Sequence, residues 1–186
     1  STNEIKRTVA QLDSLVTNIV WSDTLQSAAV GLADGNIYTV SLSGENPKLI
    51  GTQRAGVSGL VFINDQIVAS VGGETVNLWN IQTGRHVDSF TTAQGEPIDL
   101  EVVGDLLVIA HENGIITTRT IGTFELVETL RGHKGIVWDL AKIDKNSAVS
   151  VGQDGQVLGW EIGDAPVTSI QVQSGLPASD IVFVDR

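Results

Sequence analysis

The chain of 186 residues is 41% hydrophobic and 18% charged, a composition that supports a globular core and excludes a disordered tail. Its 11 Lys and Arg against 22 Asp and Glu give a formal net charge of −11, which excludes a basic surface for nucleic acid. It has no cysteine, no apolar run of about 18 residues and no apolar N-terminal signal, so we expect a soluble protein of the cytoplasm or nucleus without disulfides or a membrane partner.

A short apolar motif recurs at intervals of about 40 residues along the whole chain. Four runs of β-branched and apolar residues fill each interval, and Gly, Asn, Asp and Ser separate them. A period of this length made of short strands predicts blades of a β-propeller. The third residue of the motif is, in chain order, Asn18, Gly59, Asp99, Asp139 and Asp180.

The predicted fold is all-β, with four complete blades of four antiparallel strands, which we call a to d from the centre outward. Residues 5–15 also show a helical period, but the spacing of residues 5–12 from the next strand d predicts an isolated strand d. After the fourth blade, only a strand a is predicted. The predicted units in chain order are 5–12 (strand d), 16–54, 57–92, 97–131 and 135–173 (blades), and 178–184 (strand a).

The turns between strands b and c carry Asp-Gly or Asn-Gly pairs in three repeats, as at Asp154 and Gly155. Because glycine tolerates positive φ, this pair predicts a tight two-residue hairpin. The second repeat has Gly73 and Glu74 instead and is one residue shorter, so its turn is expected to differ.

The predicted ring is incomplete. A blade is apolar on both faces and buries them only against neighbouring blades, so four blades with two spare strands leave both ends open. We expect either that the chain is the N-terminal portion of a longer propeller or that another chain supplies the missing strands.

The fourth repeat resembles a WD40 repeat. The resemblance rests on Gly132-His133, on VWDL at 137–140, on Ser150, on Asp154-Gly155 and on Trp160-Glu161. In that family the corresponding His, Asp, Ser and Trp form a structural tetrad of hydrogen bonds. The resemblance therefore implies that His133, Asp154, Ser150 and Trp160 support the blade, although three of them superficially resemble a catalytic triad.

The other repeats are degenerate, with Leu12, Gln53 and Ala93 at the position of His133. Other propeller families, including quinoprotein-like ones, share the strand pattern.

The resemblance also implies a partner-binding top face. In WD40 proteins the residue before the motif's third position commonly lies on its rim, and turn residues extend the surface. Trp138 is the expected anchor, because an exposed aromatic side chain is typical of interfaces, although it could instead pack between blades. Trp21, Trp79 and Trp160 are expected in the core. The predicted partner-binding residues are Thr17, Ser58, Ile98, Trp138, Ser179, Gln153, Glu112 and Lys134.

Two function classes remain open. The first is a non-catalytic protein-interaction scaffold, a subunit of a larger assembly whose acidic surface favours partners with basic segments. The second is a cofactor- or metal-binding enzyme of another propeller family. Asp99, Asp139 and Asp180 share one position near the centre and could attract a cation, or backbone amides could satisfy them. The scaffold is favoured, with no catalytic residue, metal or cofactor expected.

Overall fold

The computed structural model describes residues 7–163 and the backbone of 170–173. These ranges contain sixteen β-strands and no helix. In particular, they contain no helix with the length and hydropathy needed to cross a bilayer.

The strands form four antiparallel sheets of four, each joined in sequence order. The first blade contains β1 Val16–Ser22, β2 Ser27–Leu32, β3 Asn36–Ser41 and β4 Lys48–Thr52. The second contains β5 Gly59–Phe62, β6 Ile67–Gly72, β7 Thr75–Asn80 and β8 Arg85–Thr91. The third contains β9 Pro97–Val103, β10 Leu106–His111, β11 Ile115–Thr120 and β12 Leu126–Arg131. The fourth contains β13 Val137–Lys142, β14 Ser147–Gly152, β15 Gln156–Glu161 and β16 Ile170–Gln173. The predicted all-β propeller of four-stranded blades is confirmed.

Each blade has two apolar faces, which we call the leading face, toward the preceding blade, and the trailing face, toward the following one. Alternation along β10 shows how one strand serves both faces. Leu107 and Ile109 pack with the second blade, whereas Val108 and Ala110 pack with the fourth. This double burial explains why the second strand of each blade is a nearly continuous apolar run.

Three of the four core clusters lie between consecutive blades. Ile37 and Ile50 of the first blade pack on Val68 and Trp79 of the second. The second cluster joins the second and third blades, and the third joins Ile116 and Leu130 to the fourth blade. In every case a trailing face meets a leading face.

The hairpin turns differ in part from the expectation. The loop between β14 and β15 has three residues, 153–155, with the Gly155 amide donating to the Gly152 carbonyl at 3.0 Å. The predicted two-residue hairpin at Asp154-Gly155 is therefore wrong, because Gly155, at φ 73°, forms the third loop residue that follows a β-turn. The two-residue hairpin occurs instead in the second blade, where Gly72 pairs with Thr75 and Gly73 takes φ 65°.

The predicted leading strand is not a hydrogen-bonded strand over residues 7–12, the part that the structure describes. Val9, Ala10 and Leu12 nevertheless pack on the leading face of the first blade, against a cluster that includes Val30 and Leu32. The segment lies where the outermost strand of a preceding blade would lie, but no neighbouring strand pairs with it in the described part of the chain. The predicted trailing strand, 178–184, lies outside the described residues.

Truncating a side chain between blades tests this architecture. Leu107 is fully buried between the second and third blades, whereas Leu126 is exposed on β12. We expect Leu107→Ala to reduce the free energy of unfolding by about 2–5 kcal/mol through lost burial and a cavity. Leu126→Ala is the matched control and should change it by less than about 0.5 kcal/mol. Urea denaturation followed by circular dichroism measures both, and equal effects would contradict the interblade core.

Candidate functional site

In the fourth blade, the four residues of the predicted tetrad lie in one chain of hydrogen bonds. The His133 Nδ1 atom is 2.9 Å from the Asp154 carboxylate, and His133 Nε2 is 2.7 Å from the Ser150 hydroxyl. The Trp160 indole N–H donates to the same hydroxyl at 2.7 Å. Because the carboxylate can only accept, the imidazole proton belongs on Nδ1, and Ser150 donates to Nε2.

The Asp154 carboxylate also fixes the turn. Its oxygens accept the backbone N–H groups of Lys134 at 2.8 Å and Gln156 at 3.1 Å. Burial raises the pKa of Asp154, but the hydrogen bonds from His133 and from the two amides together lower it by more than burial raises it. The pKa of Asp154 therefore lies below its usual value. The tetrad thus joins the loop before β13 to the turn before β15.

The arrangement differs from a nucleophilic triad. The Ser150 side chain has no exposed surface, and Trp160 and His133 both occupy its hydroxyl. A substrate cannot reach this oxygen without opening the blade. The geometry favours a supporting role over catalysis.

The second blade builds a similar network from a different residue. Gln53 stands at the position of His133, and its side-chain carbonyl accepts the Ser70 hydroxyl at 2.7 Å. The Trp79 indole N–H donates to the same hydroxyl at 2.8 Å. The Gln53 amide nitrogen donates to the backbone carbonyl of Val71 at 3.1 Å, so no acidic residue is needed at Gly73. The sequence places Gln53 at the position of His133, but its role in the network follows only from its distance to Ser70.

The third blade supplies its histidine from the opposite side. Ala93 leaves the loop position small, and His111, at the end of β10, fills the space. His111 Nε2 lies 2.9 Å from the Thr117 hydroxyl, and Nδ1 lies 3.1 Å from the Gly95 carbonyl. The position equivalent to His111 in the fourth blade is Gly152, where a Cβ atom would collide with His133 Nδ1. The third blade thus has alanine at 93 and histidine at 111, whereas the fourth has histidine at 133 and glycine at 152. This paired difference is a sequence signal that could have revealed the hydrogen bonds of His111.

Arg119 replaces the tryptophan in the third blade. Its guanidinium donates to the Phe124 carbonyl at 2.7 Å and lies 5.2 Å from the centre of the Phe90 ring. Burial lowers the pKa of Arg119. The side chain therefore fills the volume of the indole and binds the loop after β11.

The predicted top-face position coincides with a β-bulge in three blades. Thr17, Ile98 and Trp138 are each the extra residue where strand a pairs with strand b. A bulge redirects the side chain out of the ladder, so the side chain at this position does not follow the regular alternation of strand a. Trp138 is 39% exposed, Thr17 is exposed and Ile98 is partly buried.

The structure brings only part of the predicted surface together. Thr17, Ser58 and Trp138 line one cavity of ≈ 750 Å³ between the innermost strands of all four blades. Glu112 lies in a different cavity of ≈ 390 Å³ between the second and third blades, with Glu74 and Glu96. Lys134 and Gln153 are exposed on neighbouring loops. Ser179 lies outside the described residues.

Trp21 corrects one expectation, because it is 40% exposed rather than buried in the core. Its indole N–H donates to Asp23 at 2.8 Å. The equivalent residues Phe62 and Val102 are partly buried against the preceding blade, whereas Lys142 is exposed. The first blade has no preceding blade among the described residues. Trp79 and Trp160 are buried as expected.

Two carboxylates meet near the centre of the arc. Asp99 is 6% exposed and accepts the Leu140 amide of the next blade at 2.9 Å. Burial, and then the charge of Asp139, raises the pKa of Asp99 well above its usual range, although amide hydrogen bonds oppose the shift. Burial also raises the pKa of Glu101. Asp180 lies outside the described residues, and within them no three acidic or histidine side chains converge as a metal site.

Comparison with known proteins supports the fold. No protein-family model and no curated protein sequence matches the chain. Among solved structures, it is similar to the WD40 repeats of RRP9, with a TM-score of 0.78 and 18% identity over 91% of this chain. It is also similar to U3-55K, with a TM-score of 0.75 and 19% identity over 90% of this chain. It spans only 54% and 56% of those two chains. The computationally designed Ika4 protein aligns over its whole length with 86% of this chain, at 29% identity and a TM-score of 0.69. The structural neighbours thus include WD40 repeat proteins.

The tetrad predicts that the glutamine of the second blade can partly replace the histidine of the fourth. His133→Gln should cost less stability than His133→Ala, because a glutamine carbonyl can accept the Ser150 hydroxyl as Gln53 accepts Ser70. Ser150→Ala should cost about 1–3 kcal/mol, since it leaves buried polar groups unpaired. Ser89→Ala, at an exposed site, is the control and should be neutral. Chemical denaturation checks the order, and an equal loss for the two His133 variants would contradict it.

The carboxylate pair predicts a pH dependence. Because the pKa of Asp99 is raised in the folded state, the stabilisation it contributes is present at low pH and is lost as pH rises through that raised pKa. Asp99→Asn retains an acceptor for the Leu140 amide and should be more stable than wild type at pH 7, with a smaller difference at pH 5. Thermal unfolding across this range measures it. Asp13→Asn, at an exposed aspartate, is the control, and a destabilised Asp99→Asn at pH 7 would refute the prediction.

Proposed function

We propose that the protein is a non-catalytic interaction scaffold, a WD40-type subunit of a larger assembly that binds partner proteins on its top face. The observation that carries this proposal is the exposure of Trp138 beside the central cavity. The supporting residues are Thr17, Ser58, Ile98, Gln153, Glu112 and Lys134, with Ser179 as a further proposed member.

Trp138 contrasts with the two tryptophans of the blade interiors. Trp79 and Trp160 bury their rings and bond their indole N–H to a serine, whereas Trp138 projects from a bulge. Leaving an indole partly in water is unfavourable, and a partner that covers it gains apolar burial. Such residues frequently dominate the binding energy of protein interfaces.

The charge around Trp138 favours a partner with a basic segment. The cavity beside it is lined by Asp99, Glu101 and Asp139, and no Lys or Arg is found among the described residues that line it. Three glutamates lie in the cavity between the second and third blades. An acidic surface accelerates association with basic partners and disfavours acidic ones.

We also propose that further blades complete the ring, from the rest of a longer chain or from another subunit. The short span relative to the larger WD40 structures supports this proposal. We place the assembly in the cytoplasm or nucleus.

The top face is tested by affinity capture followed by mass spectrometry. We expect a partner that binds the wild-type chain and loses about tenfold or more affinity for Trp138→Ala, as expected for an interface anchor. Trp21→Ala is the matched control, since Trp21 has nearly the same exposure at 40% but lies on the first blade. Binding should weaken as salt rises. An identical set of captured proteins for all three chains would refute the site.

A further inference from the structure

The first blade exposes a position that is buried in every other blade. Leu60, Leu100 and Leu140 follow the third residue of the repeated motif and are 4%, 3% and 5% exposed. Ile19 holds the same position in the first blade and is 67% exposed. The leucines are covered by the trailing face of the preceding blade, whereas Ile19 has no such cover from the described residues.

The fourth blade shows the complementary opening on its trailing face. Val157 is only partly buried, although its equivalents Ile37, Val76 and Ile116 are fully buried. Val149 is likewise only partly buried, in contrast to Val108. The described part of the chain therefore carries a leading face that is exposed at Ile19 and a trailing face that is partly exposed at Val149 and Val157, although Val151 on that trailing face is buried.

A leading face and a trailing face are also the two surfaces that meet in each of the three interblade clusters. Each cluster sets the trailing face of one blade on the leading face of the next. The chain is thus complementary to itself from head to tail. A head-to-tail contact that closes after two copies gives a ring with two-fold symmetry.

We propose that a second copy of this chain docks on the leading face around Ile19, with the trailing face around Val157 of that copy, and that the reciprocal contact closes a ring. This deepens the proposed ring completion by naming the partner, and it is independent of the Trp138 site.

The segment 7–12 competes with the second copy. It packs Val9, Ala10 and Leu12 on the outer part of the leading face, where β16 of the docked blade would lie. Ile50 of β4 occupies the corresponding place between the first and second blades, fully buried. Because residues 7–12 form no strand ladder, docking can displace them at small cost.

Sedimentation velocity on the full chain tests the proposal. We expect a species of twice 19.7 kDa at concentrations of about 1–100 µM, the range of moderate protein affinities. Ile19→Asp and Val157→Asp should each be monomeric, with wild-type circular dichroism spectra. Val87→Asp is the matched control, because Val87 is exposed on the outer strand β8, and it should remain dimeric.

Mixing the two monomeric variants is the decisive measurement. Ile19→Asp keeps its trailing face and Val157→Asp keeps its leading face, so an equimolar mixture should recover a dimer with one intact contact. Removing residues 1–12 should strengthen association. Added salt should also strengthen it, because each copy has a formal net charge of −11, whereas salt weakens binding of a basic partner.

Three results would overturn the proposal. A monomeric wild type would mean that blades from elsewhere cover these faces. A dimer that Val157→Asp leaves intact would indicate contact between two leading faces. Failure of the mixed variants to associate would exclude the head-to-tail contact. None of these results affects partner capture through Trp138.

Discussion

The structure depends on the burial of both faces of every blade. A four-stranded sheet of this size cannot protect its own apolar side chains, so Leu107 depends on the second blade and Val108 on the fourth. Stability therefore comes from contacts between consecutive units, as in other repeat architectures. The same constraint explains why the strands are apolar on both faces and why the pattern repeats about every 40 residues. It also explains why Ile19, which has no preceding blade among the described residues, is exposed.

Polar groups within the blades are satisfied by alternative solutions to one problem. The space between the loop before strand a and the end of strand b holds His133 in the fourth blade, Gln53 in the second and His111 in the third. The first blade fills the equivalent region with apolar side chains, including Leu32. In the second, third and fourth blades, the buried polar group in this space finds a hydroxyl partner, as burial in a low-dielectric interior requires.

The sequence predicts the repeat and the strands well because a period of two and a period of about 40 residues are both local patterns. It fails where a neighbour determines the result. Tryptophan at this position suggests a core residue, but the preceding blade that would bury the Trp21 ring is absent among the described residues. Residues 7–12 have strand-like spacing, but no strand pairs with them in the part of the chain that the structure describes. Gln53 was missed because its role is visible only from its distance to Ser70, and the raised pKa of Asp99 depends on the approach of Asp139.

The close approach of Gly152 to His133 has a consequence for how such repeats diverge. A larger residue at 152 would collide with the imidazole, and loss of the imidazole alone would leave the Ser150 hydroxyl without the acceptor to which it donates, with only the Trp160 indole N–H still bonded to it. The arrangement in the third blade, with alanine in the loop and histidine at the strand end, is reached only when both positions change. Neighbouring repeats therefore diverge by substitutions at both of these positions together. A repeat that has lost the family motif, like the third, can still bond its buried histidine on both ring nitrogens, although Thr118 Oγ1 and Arg119 Nε in the same blade have no hydrogen-bond partner among the described residues.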